Sequence, residues 1–171
     1  VGRALLPMLL AGKHYRQVHV LLRRELPDIK ANAKLKIHRV EFARLPAAFP
    51  TVDDVYIALG TTIKSAGSEA AFRQVDFEFV LNTARAARAA GATRLAVVSA
   101  LGADPASRVF YNRVKGEMQA AITQLGYTSV VIAQPSLLLG NRAALGQPSR
   151  TGEVWAARLL GPLGCLLPNG I

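Results

Sequence analysis

Tyr111 and Lys115 stand four residues apart in Tyr111-Asn112-Arg113-Val114-Lys115, the spacing that makes two side chains neighbours on one helix face. An ammonium beside a phenol favours the phenolate, so the pair is of the kind that turns a tyrosine into an acid or base usable nearer neutrality. Ser99 lies twelve residues before Tyr111, at the end of a short apolar run. A strand end, a loop and a first helical turn span that separation, so Ser99, Tyr111 and Lys115 can meet at one cleft. The same residues also fit a blander alternative: Tyr111 as an amphipathic core residue with its hydroxyl in water, Lys115 as a solvated charge, Ser99 as a turn former.

The elements needed to position these side chains are written in the hydrophobic pattern. Short, largely β-branched runs predict strands at Val18 to Leu22, Ile37 to Phe42, Val55 to Leu59, Arg94 to Ser99 and Ser129 to Ala133. Amphipathic stretches between them predict helices over Arg3 to Leu10, Glu69 to Ala90 and Ser107 to Leu125, closed by Gly12, Gly91 and Gly126 as left-handed caps. Apolar strands alternating with helices imply an α/β fold, a doubly wound parallel sheet with helices on both faces. Three strands lead into small or polar loops, Leu59-Gly60-Thr61-Thr62, Ser99-Ala100-Leu101-Gly102 and Gln134-Pro135-Ser136. Ligands of open α/β sheets bind at such carboxyl ends. Gly140 to Gly152 reads as a loop, and Glu153 to Leu167 as an amphipathic helix over the cleft, a lid or a dimer contact.

Composition narrows the class. With 171 residues, 51% hydrophobic and 19% charged, the chain reads as one domain over 1–171 and not as a disordered or fibrous polypeptide. One cysteine, Cys165, allows no internal disulfide and no cysteine-based metal framework. It points to a reducing compartment, with the cytoplasm as the expected location. The apolar runs are too short to span a bilayer. A net charge of +10 could serve a polyanion, but the basic residues are scattered, with no aromatic interleaving, which disfavours nucleic acid and leaves a phosphate-bearing small molecule. His14, His19 and His38 have no cysteine or carboxylate at ligand spacing, so no metal is expected.

Several motifs in order resemble the short-chain dehydrogenase/reductase superfamily: Tyr111-x-x-x-Lys115, Ser99 before it, and Gln134-Pro135-Ser136-x-x-x-Gly140 after it. Leu59-Gly60-Thr61-Thr62, Phe72-Arg73-x-Val75-Asp76, Ser99-x-x-Gly102-Ala103-Asp104 and Val114-Lys115-Gly116-Glu117 are similar to its atypical, NAD-dependent epimerase/dehydratase-like branch, the one with Tat-interacting oxidoreductase-like proteins. The resemblance implies an NAD(P)-binding Rossmann fold. Its catalytic set would be Tyr111 as general acid/base, Lys115 holding the nicotinamide ribose, and Ser99 hydrogen-bonding the substrate oxygen. Val1-Gly2-Arg3 is similar to the end of the glycine-rich fingerprint, with Gly2 its last glycine. The first strand and two glycines are then expected before Val1, and further substrate-side chain after Ile171.

Arg23 and Arg24 follow the second strand of that scheme, where guanidinium groups would accept the 2′-phosphate of NADP; NAD stays the other possibility. By the same resemblance Glu41 lies near adenine, Leu59, Gly60 and Thr61 line the adenosine and ribose side, and Pro135 and Ser136 pack near the nicotinamide. Gln134 replaces an arginine common in relatives. Asp76 falls near an asparagine position of relatives and is expected to orient the loop or helix around Ser99. The implied activity is NADP(H)-dependent hydride transfer to or from a small carbonyl or alcohol. A cofactor-binding regulator or scaffold without turnover is the alternative, and the assembly stays open, with a homodimer among the possibilities.

Overall fold

The computed structural model describes residues 1–24 and 29–136. The chain divides into two compact units, Val1–Pro135 and Ser136–Ile171, and almost all of the described residues belong to the first. Gly140 to Gly152, the helix expected over Glu153 to Leu167, and Cys165 lie outside the described residues.

The order of elements is α1 (Gly2–Ala11), β1 (Val18–Leu22), β2 (Leu35–Arg39), β3 (Asp54–Ile57), α2 (Ile63–Ala66), α3 (Glu69–Arg73), a π-helical turn (Gln74–Phe79), α4 (Val80–Ala89), β4 (Arg94–Val98), α5 (Phe110–Thr123) and β5 (Ser129–Ala133). All strand pairs are parallel, with Val18 opposite Leu35, Asp54 opposite Arg94, and Arg94 opposite Ser129. They form two sheets, β1-β2 and β3-β4-β5. Parallel pairing, with helical crossovers from β3 to β4 and from β4 to β5, is the α/β architecture of a Rossmann-type domain.

Alternation along the strands builds the core. On one face of the second sheet Ile57, Leu95 and Val97 are buried against Val80, Leu81 and Ala84 of α4 and Met118 and Ile122 of α5, with Val55, Val130 and Ile132 packed beside them. The intervening positions Tyr56 and Val131 point the other way and are exposed, as a period of two requires. Tyr127, following α5, donates its hydroxyl to the Ala84 carbonyl at 2.6 Å, and burial pushes its phenol up to about 12. The first sheet is tied to this core through Phe42, whose ring stacks on Phe79 at 6.1 Å and whose carbonyl accepts from Asn82. A second tie runs at the amino end of β3, where the Tyr15 hydroxyl donates to Asp54, itself paired with Arg94.

Several boundaries differ from the sequence reading. The second strand starts two residues earlier and ends at Arg39; the Val40 amide still bonds the Leu22 carbonyl, and Glu41 then begins a turn. The helix over 69–89 is interrupted by the π turn. A short helix, α2, was not anticipated; Thr62 caps it and Gly67 closes it at φ 87°. Gly91 and Gly126 have the expected positive φ. Gly12 does not: it leaves α1 in extended backbone at φ −66°, because the chain there runs on into β1 without a left-handed reversal.

Candidate functional site

The loop after β3, the π turn and the second turn of α5 meet in a small polar cluster. Its centre is an ion pair between Lys115 Nζ and Asp76 Oδ1 at 2.7 Å. Both groups are buried, Lys115 at 4% and Asp76 at 0% exposure. Charges so removed from water persist only when paired. Asp76 Oδ2 in turn accepts the Thr61 amide at 2.8 Å, so one carboxylate ties the loop after β3 to the lysine of α5. It reaches both because the π turn carries it; such turns recur at functional sites. Asp76 therefore ties the Thr61 loop to Lys115 of α5.

Gly60 forms the wall of this cluster. A Cβ there would lie 3.3 Å from Asp76 Oδ1 and 3.9 Å from Lys115 Nζ, so a larger residue would crowd the pair and cover the exposed backbone a ligand could approach. Leu59, partly buried, packs against the core.

Ser99 sits at 5% exposure just after β4, its amide bonded to the Ala133 carbonyl at 2.8 Å. Its hydroxyl accepts from Gln119 Nε2 at 2.6 Å, and Gln119 Oε1 accepts from Gln134 Nε2 at 3.0 Å. Tyr111, Lys115 and Gln119 succeed one another at intervals of four along α5 and so form one stripe. The Tyr111 ring lies 5.3 Å from that of buried Phe72, tilted by 36°. The sequence reading missed Gln119. The signal available was a polar residue on the stripe already marked by Tyr111 and Lys115.

The loop over α5 is held equally closely. Gly116 lies under Asp104 and Pro105 so tightly that a Cβ would meet their backbone at 2.2 Å. Asp104 donates its amide to the Asn112 carbonyl and accepts the Ala106 amide on Oδ1, which fixes the turn before the helix.

The remaining expected residues are placed as follows. Gly2 is the first residue of α1, and a Cβ there would make only an ordinary 3.6 Å contact with Ala58. Arg23 and Arg24 are exposed immediately after β1. Glu41 is exposed in the turn after β2, not at the strand end. The Pro135 carbonyl accepts from the Leu101 amide at 3.1 Å, joining the loops after β4 and β5. Ser136 is exposed. His19 and His38 stack, with ring nitrogens 2.8 Å apart; burial first, then the charges of His38 and Lys36, lowers the His19 pKa. Among the described residues no group of three metal-ligating side chains is formed, and no helix is long and apolar enough to cross a membrane.

Parallel strands, crossover helices and a glycine turn beside a lysine at the strands' carboxyl ends define a dinucleotide-binding α/β domain. The exposed Gly60 backbone lies beside the buried pair of Lys115 and Asp76 and is open to close approach. The chain belongs to the NAD(P)H-binding family, whose model matches residues 1–137, within the atypical short-chain dehydrogenase/reductase branch. It is 32% identical over 166 residues to "Protein HTATIP2" of Rattus norvegicus, covering 95% of this chain and 66% of the rat protein. It is 30% identical over 171 residues to "Protein fmp52, mitochondrial" of Emericella nidulans, covering 96% and 72%. With "Protein FMP52-1, mitochondrial" of Scheffersomyces stipitis it shares 32% over 146 residues, 83% and 64%. The chain thus spans about two thirds of the length of these relatives. A nicotinamide cofactor is the ligand class of the family. The fungal names carry a mitochondrial location, which differs from the cytoplasm expected from the lone cysteine.

Proposed function

We propose that the protein is an NADP(H)-dependent oxidoreductase acting on a small carbonyl or alcohol. The observation that carries this reading is the α5 stripe: Tyr111, then Lys115 buried beside the Gly60 turn, then Gln119 on the Ser99 hydroxyl. A bound nicotinamide cofactor supplies or accepts the hydride. Lys115 and the Thr61 loop would hold its ribose side, with Arg23 and Arg24 on the 2′-phosphate, a match for planar guanidinium donors. Ser99 would donate to the substrate oxygen, and Tyr111 would give that oxygen its proton in reduction or take it in oxidation. A reducing compartment, the cytosol or a mitochondrial matrix, suits the lone cysteine.

A second reading, an NADP(H)-binding regulator without turnover, is favoured by the Asp76 contact, which engages the charge of Lys115. Calorimetric titration of the full-length protein with NADPH and NADH, followed by a carbonyl panel, separates the two. The enzyme reading expects NADPH to bind more tightly, the preference to fall about tenfold on replacing Arg23 and Arg24 with Ala, and Tyr111→Phe to lose about a hundredfold or more in turnover. Tight NADPH binding with no turnover of any carbonyl supports the regulator, and equal binding of both cofactors overturns the arginine assignment.

A further inference from the structure

We infer that Gln119 is a positioning residue that sets the polarity of the Ser99 hydroxyl, so that its single proton is directed to the substrate oxygen. The inference rests on the proposed reaction and adds a residue to it. A serine hydroxyl has one proton to donate and lone pairs to accept. Gln119 Nε2 is a donor only, and at 2.6 Å it occupies an accepting position of Ser99 Oγ. The proton must then point elsewhere.

Gln119 keeps this orientation while Gln134 Nε2 donates to its Oε1, at 3.0 Å. Turning the carboxamide over would set Nε2 against another NH₂ donor and Oε1 against Ser99. The chain Gln134 to Gln119 to Ser99 therefore runs in one direction and ends in a donor. Ser99 has little freedom to escape it: the residue is 5% exposed and its amide is anchored on the Ala133 carbonyl. Gln119 follows Lys115 by one turn of α5, so the helix that carries Tyr111 also aims the serine.

A polarity change that keeps the contact tests this. The Gln119→Glu substitution is nearly isosteric and its side chain still accepts from Gln134, but as an acceptor-only carboxylate it draws the Ser99 proton onto itself. Gln119→Met removes both interactions and leaves Ser99 free to turn. In the full-length protein, NADPH-dependent reduction of p-nitrobenzaldehyde, phenanthrenequinone and a series of aliphatic aldehydes is measured for wild type, Gln119→Glu, Gln119→Met, Ser99→Ala and Ser99→Ala with Gln119→Glu. The expected fall in kcat is on the order of a hundredfold for Gln119→Glu, the cost of one lost oxyanion donor, and smaller for Gln119→Met. KM for NADPH and the melting temperature stay unchanged, and Gln119→Glu adds nothing on top of Ser99→Ala. A bond that merely stitches α5 to β4 predicts the opposite order, with Gln119→Glu close to wild type and Gln119→Met impaired; that result overturns the inference while leaving the reaction intact. A wild-type protein that reduces none of the probes overturns the proposed reaction itself, and the role of Ser99 with it.

Discussion

Replacing Asp76 with Leu should be among the most damaging single changes in the domain, and the cause is electrostatic rather than steric. Lys115 and Asp76 are buried at 4% and 0% exposure with 2.7 Å between Nζ and Oδ1. Removing one member of a buried pair leaves the other charge in a poorly solvated place, a loss of about 3–5 kcal/mol. The orphaned Thr61 amide, bonded at 2.8 Å to the same carboxylate, adds about 1 kcal/mol. Lys115 can recover part of this by moving toward the exposed Gly60 turn, so about 3 kcal/mol is expected. At roughly 2–4 °C per kcal/mol for a domain of this size, the melting temperature should fall by about 6–12 °C. The decisive assay is a denaturant double-mutant cycle with Lys115→Met. With both charges gone, the double variant should be more stable than Asp76→Leu alone, with a coupling of about 1–3 kcal/mol. Additive losses, or a cost below about 1 kcal/mol for Asp76→Leu, would show that the pair is solvated and refute the burial argument.

Gly116→Ala should destabilise by about 3 kcal/mol or shift the Asp104-Pro105 loop by about 1 Å, since its Cβ would meet backbone at 2.2 Å; an unchanged melting temperature together with unchanged amide shifts for residues 103–107 would contradict that contact. Acid should weaken the fold in two ranges. His19 is held below its ordinary 6.5 by burial and by the charges of His38 and Lys36, so its contribution is present above 6.5 and is lost as pH falls through its lowered folded-state pKa. Urea melts should show this slope in wild type and not in His19→Gln. Asp54 is held below 3.8, chiefly by its bond from Arg94, so a second loss begins below 3.8 and should shrink in Arg94→Met.

The strands were the most legible part of the sequence, because β-branched apolar runs between polar turns have few other uses: β1 and β5 have the expected limits. The π turn was not legible. Its residues keep an amphipathic pattern that an uninterrupted helix over 69–90 would also show. Yet the sequence held a usable sign of the site, for Asp76 stands four residues after Phe72 and four before Val80, both fully buried. A carboxylate on an apolar stripe requires a buried partner, and a lysine on a neighbouring helix was the natural candidate. Gly116 was visible only as part of a motif, since its necessity comes from the loop of residues 104–105 crossing above it, a long-range packing fact. Glu41 was misplaced by a register of two residues, enough to move it from a strand end into a turn.

On the proposed reaction, the buried pair also changes how the tyrosine chemistry must be powered. The sequence suggests a bare ammonium one turn from Tyr111, a unit positive charge supporting a phenolate. In the fold that charge is matched by Asp76 at 2.7 Å, so at distances well beyond 2.7 Å the two act as a dipole and their field falls faster than that of a lone charge. Oriented neutral groups must then supply more of the stabilisation at the substrate oxygen: the Ser99 hydroxyl, aimed by Gln119, and the Tyr111 hydroxyl on the same helix. Preorganised dipoles of this kind act without reorganisation when charge develops, and they are insensitive to salt, unlike an exposed cation. Turnover should accordingly change little with ionic strength once cofactor binding is saturated, whereas NADPH affinity, if the exposed Arg23 and Arg24 carry it as proposed, should fall steadily as salt rises. A kcat that collapses with salt at saturating NADPH would mean that an exposed charge, and not the buried polar stripe of α5, stabilises the transition state.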